Sequence, residues 1–186
     1  MLNQILRRRE FRVRLKNCRV KLYRIAYAWC NDAMLADDLT QETITRALGH
    51  ADQLQDLQTF DAWLYRILSN CWNDHHRRTP NTVAHDDYEW VDHATPESEH
   101  QQHEIITRVR RMVAALPVPQ RQVLTLVDLE GTSYSDVACI LEIPVGTVMS
   151  RLCRARQSMK ESMMRNDYNA SDIDATPNVT RIRRQL

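Results

Sequence analysis

No run of eighteen apolar residues occurs in the 186-residue chain, so nothing in it is built to cross a membrane as a helix. Glycine is scarce, at three residues, and no stretch alternates apolar and polar positions as a half-buried strand does. A glycine-rich phosphate loop is absent as well. The five cysteines, at 18, 30, 71, 139 and 153, are odd in number and widely spaced, with no CxxC. That is the pattern of buried thiols in a reduced compartment, not of a disulfide framework. Cys71 and His75 stand four apart, close enough to share a helix face, but no further ligands cluster with them. They read as a core thiol followed by polar residues, and neither metal nor cofactor is expected. The stretch MLNQILRRREFRVRLKNCRV places charge where a signal peptide needs an apolar core, so export is not expected and a cytoplasmic location is.

What the chain does have is segregated charge. Residues 1 to 24 hold nine Lys or Arg against one Glu, whereas 79 to 104 hold seven Asp or Glu, four His and no Lys or Arg. A net charge of +1 hides this division, which suggests separate electrostatic tasks along the chain.

Helical periodicity accounts for most of the remainder. Leu15, Cys18, Leu22, Ile25, Ala26 and Trp29 recur at spacings of three and four and predict one helix from about Glu10 to Trp29. A second runs from about Met34 to Leu48 and stops at Gly49, suited to a left-handed cap. After a polar connection, apolar pairs at 63/64, 67/68 and 71/72 predict a third long helix with a basic end at His75, His76, Arg77 and Arg78. Thr79-Pro80 stops it. The acidic stretch that follows has no period and reads as a linker. Period returns from about Glu104, through Ile105, Ile106, Val109, Met112, Val113 and Leu116. Pro117 and Pro119 separate that helix from Gln120 to Leu129, which Gly131 closes. The sequence therefore predicts an all-α chain of two small helical domains joined by a flexible acidic linker. Its parts are a basic extension (1–10), a first domain (11–78), the linker (79–103), a second domain (104–164) and a polar, disordered tail (165–186).

The stretch SYSDVACILEIPVGTVMSRLCRAR, from Ser133, carries the sharpest signal. Ser133 or Thr132 can cap a helix whose inward face is Tyr134, Val137, Ala138 and Leu141. Pro144 forces Ile143 out of helical geometry. A new helix then begins near Val145, with Val148, Leu152 and Ala155 on one side and Thr147, Ser150, Arg151 and Arg154 broadly opposite. Two short helices at a sharp angle, the second basic outward, form a helix-turn-helix shaped to enter a major groove.

Further residues narrow this reading. Leu116-Pro117, Gln120 to Leu124, Asp128 to Gly131, Ser133-Tyr134, Val137-Ala138, Ile143 to Val148, Ser150 to Leu152 and Arg154 to Arg156 closely resemble region four of bacterial extracytoplasmic-function (ECF) RNA polymerase sigma factors. Ala36 to Thr43 resembles the polymerase-binding helix of region two, and Trp63 to Ile67 with Asn70 its promoter-reading helix. The resemblance covers about residues 11 to 162 in the family's order. It implies a non-enzymatic protein that lends promoter specificity to core RNA polymerase and directs transcription initiation, of a stress- or signal-responsive regulon. Asp37, Asp38, Gln41 and Glu42 would dock on the beta-prime clamp helices, with the beta flap as a second polymerase contact. Phe60, Trp63, Asn70, His75, Arg77 and Arg78 would meet the minus-ten DNA, where aromatic faces can receive an unpaired base. Thr147, Ser150, Arg151 and Arg154 would meet the minus-thirty-five DNA. Twenty-five extended linker residues reach at most roughly 80 Å, enough for the roughly 50 Å that separates two such elements. A cognate anti-sigma factor, often membrane-anchored in this family, is an implied partner.

Met149 departs from the family pattern, which has Arg or Lys there. The arginine-rich N-terminus, with Arg7, Arg8, Arg9, Arg12 and Arg14, is more basic than expected and would either touch DNA or be solvated. Two other readings compete. A self-sufficient DNA-binding regulator would need an effector or dimerisation domain where the first seventy residues offer a docking pattern. A metal-dependent nuclease using Asp37 and Asp38 would have its carboxylates on consecutive positions, about 100° apart on a helix.

Overall fold

The computed structural model describes residues 2–54, 56–78 and 98–173, and side chains over 9–54, 56–78 and 106–165 of these. Among them the secondary structure is entirely helical. The first half comprises α1 (Leu2–Asn17), α2 (Arg19–Cys30), α3 (Ala33–Gly49) and α4 (Phe60–Arg78). The second comprises α5 (Ser98–Ala114), α6 (Val118–Leu124) running into a π turn (Thr125–Leu129), α7 (Tyr134–Leu141) and α8 (Val145–Ile173). The expected linker lies largely in residues 79–97, outside the described residues, and the helical backbone of α5 starts at Ser98.

The single helix expected from Glu10 to Trp29 is two. The chain turns at Cys18, with φ −79° and ψ −8°, so Phe11 and Leu15 of α1 meet the core from a different direction than α2 does. Both are buried, and the Phe11 ring stands edge-on to Phe60 at 5.6 Å. Leu22, Ile25, Ala26 and Trp29 form the wholly buried stripe of α2. Asn31, at φ 55°, ends α2, and the Asp32 carboxylate caps α3 by accepting from the N–H groups of Met34 and Leu35. Gly49 does not act as a left-handed cap; it is the last residue of α3, and Gly131 is the glycine at positive φ (+67°). Two single 3-10 turns, Ala51–Gln53 and Leu57–Thr59, fill the connection to α4. Leu64, Leu68, Cys71 and Trp72 turn inward from α4 against α2 and α3, with the Trp72 and Trp29 rings 6.5 Å apart.

In the second half, Pro119 sits in the first turn of α6, where its missing N–H costs nothing. Ser133 caps α7 through Asp136 N–H. The inward face of α7 is Val137, Ala138 and Ile140, with Leu141 half-buried; Tyr134, expected inward, is instead exposed. Val137 and Ala138 hold the expected face, Ile140 takes the inward place expected of its neighbour Leu141, and Tyr134 is the first residue of the helix, at its exposed end. Glu142, at φ 54°, terminates α7. α8 continues past Met164 to Ile173, where a polar tail was expected from 165; residues 174–186 lie outside the described residues.

The two halves do not stand apart. α4 packs on α7, and α2 packs on α5, α6 and the π turn, so one buried apolar cluster runs through both.

Candidate nucleic-acid interface

The residues on α3 expected to meet polymerase form an outward polar strip. Asp38, Gln41 and Glu42 are exposed and Asp37 half-buried, because Ala36, Leu39, Thr40 and Thr43 take the inner face. Internal contacts order the strip. Gln41 donates to the Asp37 carboxylate at 2.7 Å and Arg19 pairs with it at 3.3 Å, while Glu42 holds Arg46 at 2.7 Å. Asp38 is the carboxylate of this set given no such partner by geometry, and it faces solvent.

Arg46 joins this strip to α4. Its guanidinium also reaches Asp74 at 2.9 Å, and Asp74 in turn holds Arg77 at 3.0 Å. Hydrogen bonds from Arg46 hold the Asp74 carboxyl below its ordinary value, partly opposed by desolvation. The basic end of α4 is therefore fixed to α3. Beside it, Arg46, His50, Gln53, Trp63, Ile67 and Asn70 line a cavity of about 240 Å³. Trp63, Ile67 and Asn70 share one face of α4 by their spacing of three and four. His50 and Gln53 come from the first 3-10 turn region and Arg46 from the end of α3. Trp63 and Asn70 were legible in the sequence. Arg46, His50 and Gln53 were not, since the signal available was a surface pair four residues apart, Glu42 and Arg46.

Phe60 needs correction. It is 2% exposed, wedged between Phe11 and Trp63, so it supports Trp63 and offers no face to a base. Trp72 is likewise core. His75 is half-buried, and Arg77 and Arg78 are exposed. His76 packs edge-on against Trp72 at 4.2 Å; burial, then the neighbouring His75 charge, lowers its pKa. Of the N-terminal arginines with described side chains, Arg9 and Arg12 are exposed. Arg14 donates to Leu57 O at 2.7 Å and pairs with Glu10, a structural tie between α1 and the connection before α4.

On α8 the two faces divide as the spacing predicts. Val148, Leu152 and Ala155 are buried against α6 and α7. Ser150 and Arg154 are exposed, and Thr147 and Arg151 half-buried. Arg154 folds back on its own helix, its Nε 3.3 Å from Ser150 O, a contact weak enough to exchange for a base or phosphate. Arg156 instead makes two bonds to Asp128, at 2.6 and 3.1 Å, and fixes α8 to the π turn. Met149 is 53% exposed on the outer side. No group of three or more His, Cys, Asp or Glu able to hold a metal occurs among the described residues, and no helix among them is long and apolar enough to cross a membrane.

Comparison with known proteins gives this geometry a context. A family model described as Sigma-70 region 2 matches residues 16–81, and one described as Sigma-70, region 4 matches 106–159. RNA polymerase sigma-H factor of Pseudomonas aeruginosa is 34% identical over 155 residues, covering 77% of this chain and 80% of that protein. ECF RNA polymerase sigma factor EcfG of Rhodopseudomonas palustris is 34% identical over 134 residues, covering 72% and 74%. Among solved structures, the sigma factor RpoE of Bartonella quintana, in complex with the anti-sigma factor NepR, superposes with a TM-score of 0.67 at 23% identity, over 83% of this chain and 97% of that one. CnrH in complex with the cytosolic domain of CnrY gives a TM-score of 0.60 at 23% identity, over 84% and 88%. At that identity the two structures establish likeness of fold.

Proposed function

We propose, from the premise that this chain belongs to the ECF RNA polymerase sigma factors of the sigma-70 family, a division of labour among its helices. The family assignment itself makes it a non-enzymatic factor that directs transcription initiation. In the proposed division, Asp38, Gln41 and Glu42 of α3 dock on basic residues of the beta-prime clamp helices, and the second half meets the beta flap. The observation that carries this reading is the direct attachment of the polar α3 strip, through Arg46 and Asp74, to a helix that bears both a cavity and a basic end. Docking and DNA reading then share one rigid unit.

The cavity beside Trp63 and Asn70 takes an unpaired base of the minus-ten non-template strand, with Arg46, His50 and Gln53 supplying donors and acceptors around it. Its volume of about 240 Å³ suits one flipped base, and Trp63 gives that base an aromatic wall. His75, Arg77 and Arg78 hold flanking phosphates. Thr147, Ser150, Arg151 and Arg154 enter the minus-thirty-five major groove. The regulon is stress- or signal-responsive, the protein works in the cytoplasm, and its activity is held by a cognate anti-sigma factor, a reading supported by the likeness of fold to the sigma factor RpoE of Bartonella quintana, which is itself in complex with the anti-sigma factor NepR.

The test is reconstituted transcription. Core polymerase should initiate at the cognate promoter when this protein is added, and the protein alone should bind that promoter weakly, because each DNA surface makes few contacts and useful affinity needs both at once. Tight, specific footprinting by the free protein would favour a self-sufficient regulator.

A further inference from the structure

Helix α1 is the part of the first half that the division of labour above leaves unused. The Sigma-70 region 2 match begins at residue 16, so nearly all of α1 (Leu2–Asn17) precedes it. Among residues 1 to 31 Glu10 is the only acid, against nine Lys or Arg. At 100° per residue, Phe11 and Leu15 face the core, and both are buried. Glu10 and Arg14 fall on one flank, where they pair at 2.9 Å. Arg9, Arg12 and Lys16 fall together on the other flank, within about 60° of one another, and all three are exposed. With Glu10 committed to Arg14, none of the three has an acidic partner among the described residues. Other cations of this half are used inside the structure: Arg19 holds Asp37, and Arg46 holds Asp74.

Such a stripe works against its own helix. Like charges three and four positions apart repel, which weakens α1 in the free protein, and a bound anion relieves that repulsion. Its length selects the anion. Arg9 to Lys16 spans roughly 10 Å of helix, about three phosphates along one strand at duplex spacing. A lone carboxylate or inorganic phosphate engages part of the stripe, whereas a nucleic-acid strand engages all of it.

The position of α1 is the second observation. The Phe11 ring stands 6.1 Å from Trp63, the aromatic wall of the cavity, and Arg14 donates to Leu57 O at 2.7 Å in the connection leading into α4. These contacts fix α1 at the start of α4. His75, Arg77 and Arg78 lie twelve to fifteen positions beyond Trp63, roughly 20 Å along the helix. A strand whose base enters the cavity continues in both directions, and the basic end of α4 meets its phosphates on one side only. On the other side the start of α4 carries Asp56 and Asp61, both exposed. The cations needed there come from α1.

We propose that α1 is a second phosphate clamp of the promoter-melting surface, in which Arg9, Arg12 and Lys16 hold two or three backbone phosphates of the non-template strand on the side of the Trp63 cavity opposite to Arg77 and Arg78. Contacts of this kind carry no base information, so the stripe adds affinity and holds the opened strand in place without altering promoter choice. The inference rests on the minus-ten reading of the cavity given above.

The test uses the full chain assembled with core polymerase on a promoter fragment whose minus-ten region is held open by mismatches. One variant carries Arg9→Gln, Arg12→Gln and Lys16→Gln, and a second carries Arg9→Lys and Arg12→Lys. Both should melt no lower than the wild type and bind core polymerase as it does. The glutamine variant should bind the fragment about ten-fold more weakly at low salt, and its plot of log affinity against log salt should be shallower by about 2, at roughly 0.7 per single-strand phosphate. The loss should be the same on fragments with changed minus-ten bases. The lysine variant should keep the wild-type slope. Neutral methylphosphonates in place of two or three phosphates beside the cavity should weaken the wild type to a similar extent and leave the glutamine variant unaffected. A glutamine variant with wild-type affinity and slope would overturn the proposal, because the stripe would then be merely solvated. Loss of core binding in that variant would overturn it in favour of a polymerase contact. A wild-type holoenzyme that fails to bind the fragment would instead sink the sigma-factor division of labour, and this inference with it.

Discussion

Leu152 is 2% exposed whereas Arg154, two positions on, reaches solvent, so substitutions at the two sites separate stability from DNA contact. Leu152→Ala should destabilise by about 2–5 kcal/mol through lost burial and a residual cavity, read as a lower melting temperature. Arg154→Ala should leave melting unchanged and weaken minus-thirty-five binding by about 1–3 kcal/mol if it contacts a base. The cysteines divide in the same way. Burial pushes the Cys30 thiol up to about 11 and raises that of Cys71, while Cys139 and Cys153 are exposed. Alkylation at mildly alkaline pH, followed by mass spectrometry, should therefore label Cys139 and Cys153 first. His76 supplies a pH signature. Its folded pKa is lowered, so the unfolded chain binds the proton first, and stability falls as pH drops below the ordinary value of about 6.5. His76→Gln should make the loss of melting temperature between neutral and mildly acidic pH shallower.

At the scale of the element, the turn of the helix-turn-helix depends on a few terminal residues. Ser133 accepts from Asp136 N–H at 3.1 Å, and Ser133→Ala should cost about 1 kcal/mol. Gly131 holds φ +67° with open space where a Cβ would stand, so Gly131→Ala meets no clash and loses only backbone preference, about 1–2 kcal/mol. Chemical denaturation of both variants checks these values. The capped helix α7 then ends at Glu142 in a left-handed conformation, which frees the chain to start α8 after Pro144. Local chemistry made this part readable: Pro144, Ser133 and Gly131 act within a few residues of their own positions. The break at Cys18 was not readable in that way. No glycine or proline marks it, and the turn serves to bring Phe11 and Leu15 onto a core contributed by α4.

For the whole molecule, the docking role proposed for the α3 strip can be tested without disturbing the fold. Replacing Asp38 and Gln41 together with Arg should abolish association with core polymerase in a pull-down while helical content and melting stay nearly unchanged, since both side chains are exposed and such substitutions cost little. Retained binding would remove α3 from the polymerase interface. The Arg46–Asp74 tie predicts a different response. Asp74→Asn should leave α3 docking intact and reduce promoter opening, because it loosens the basic end of α4 without touching the strip.

The sequence by itself determined the helical character of the chain, the order of its helices, the inward stripe of α2 and the two faces of α8, because periodicity and breakers act over one or two turns. It also carried the motifs of regions two and four. Tertiary structure alone decided that Phe60 is core and Trp63 a cavity wall, since both fit the same apolar spacing and the choice depends on Phe11 arriving from α1. It decided that Arg46, His50 and Gln53 converge on Asn70. It also decided that Glu130 and Glu142, each an ordinary surface acid in the sequence, face Lys21, Tyr65 and Arg66 from the other half of the chain. Pairings between residues so far apart in sequence leave no local pattern, because they are fixed by how whole faces pack.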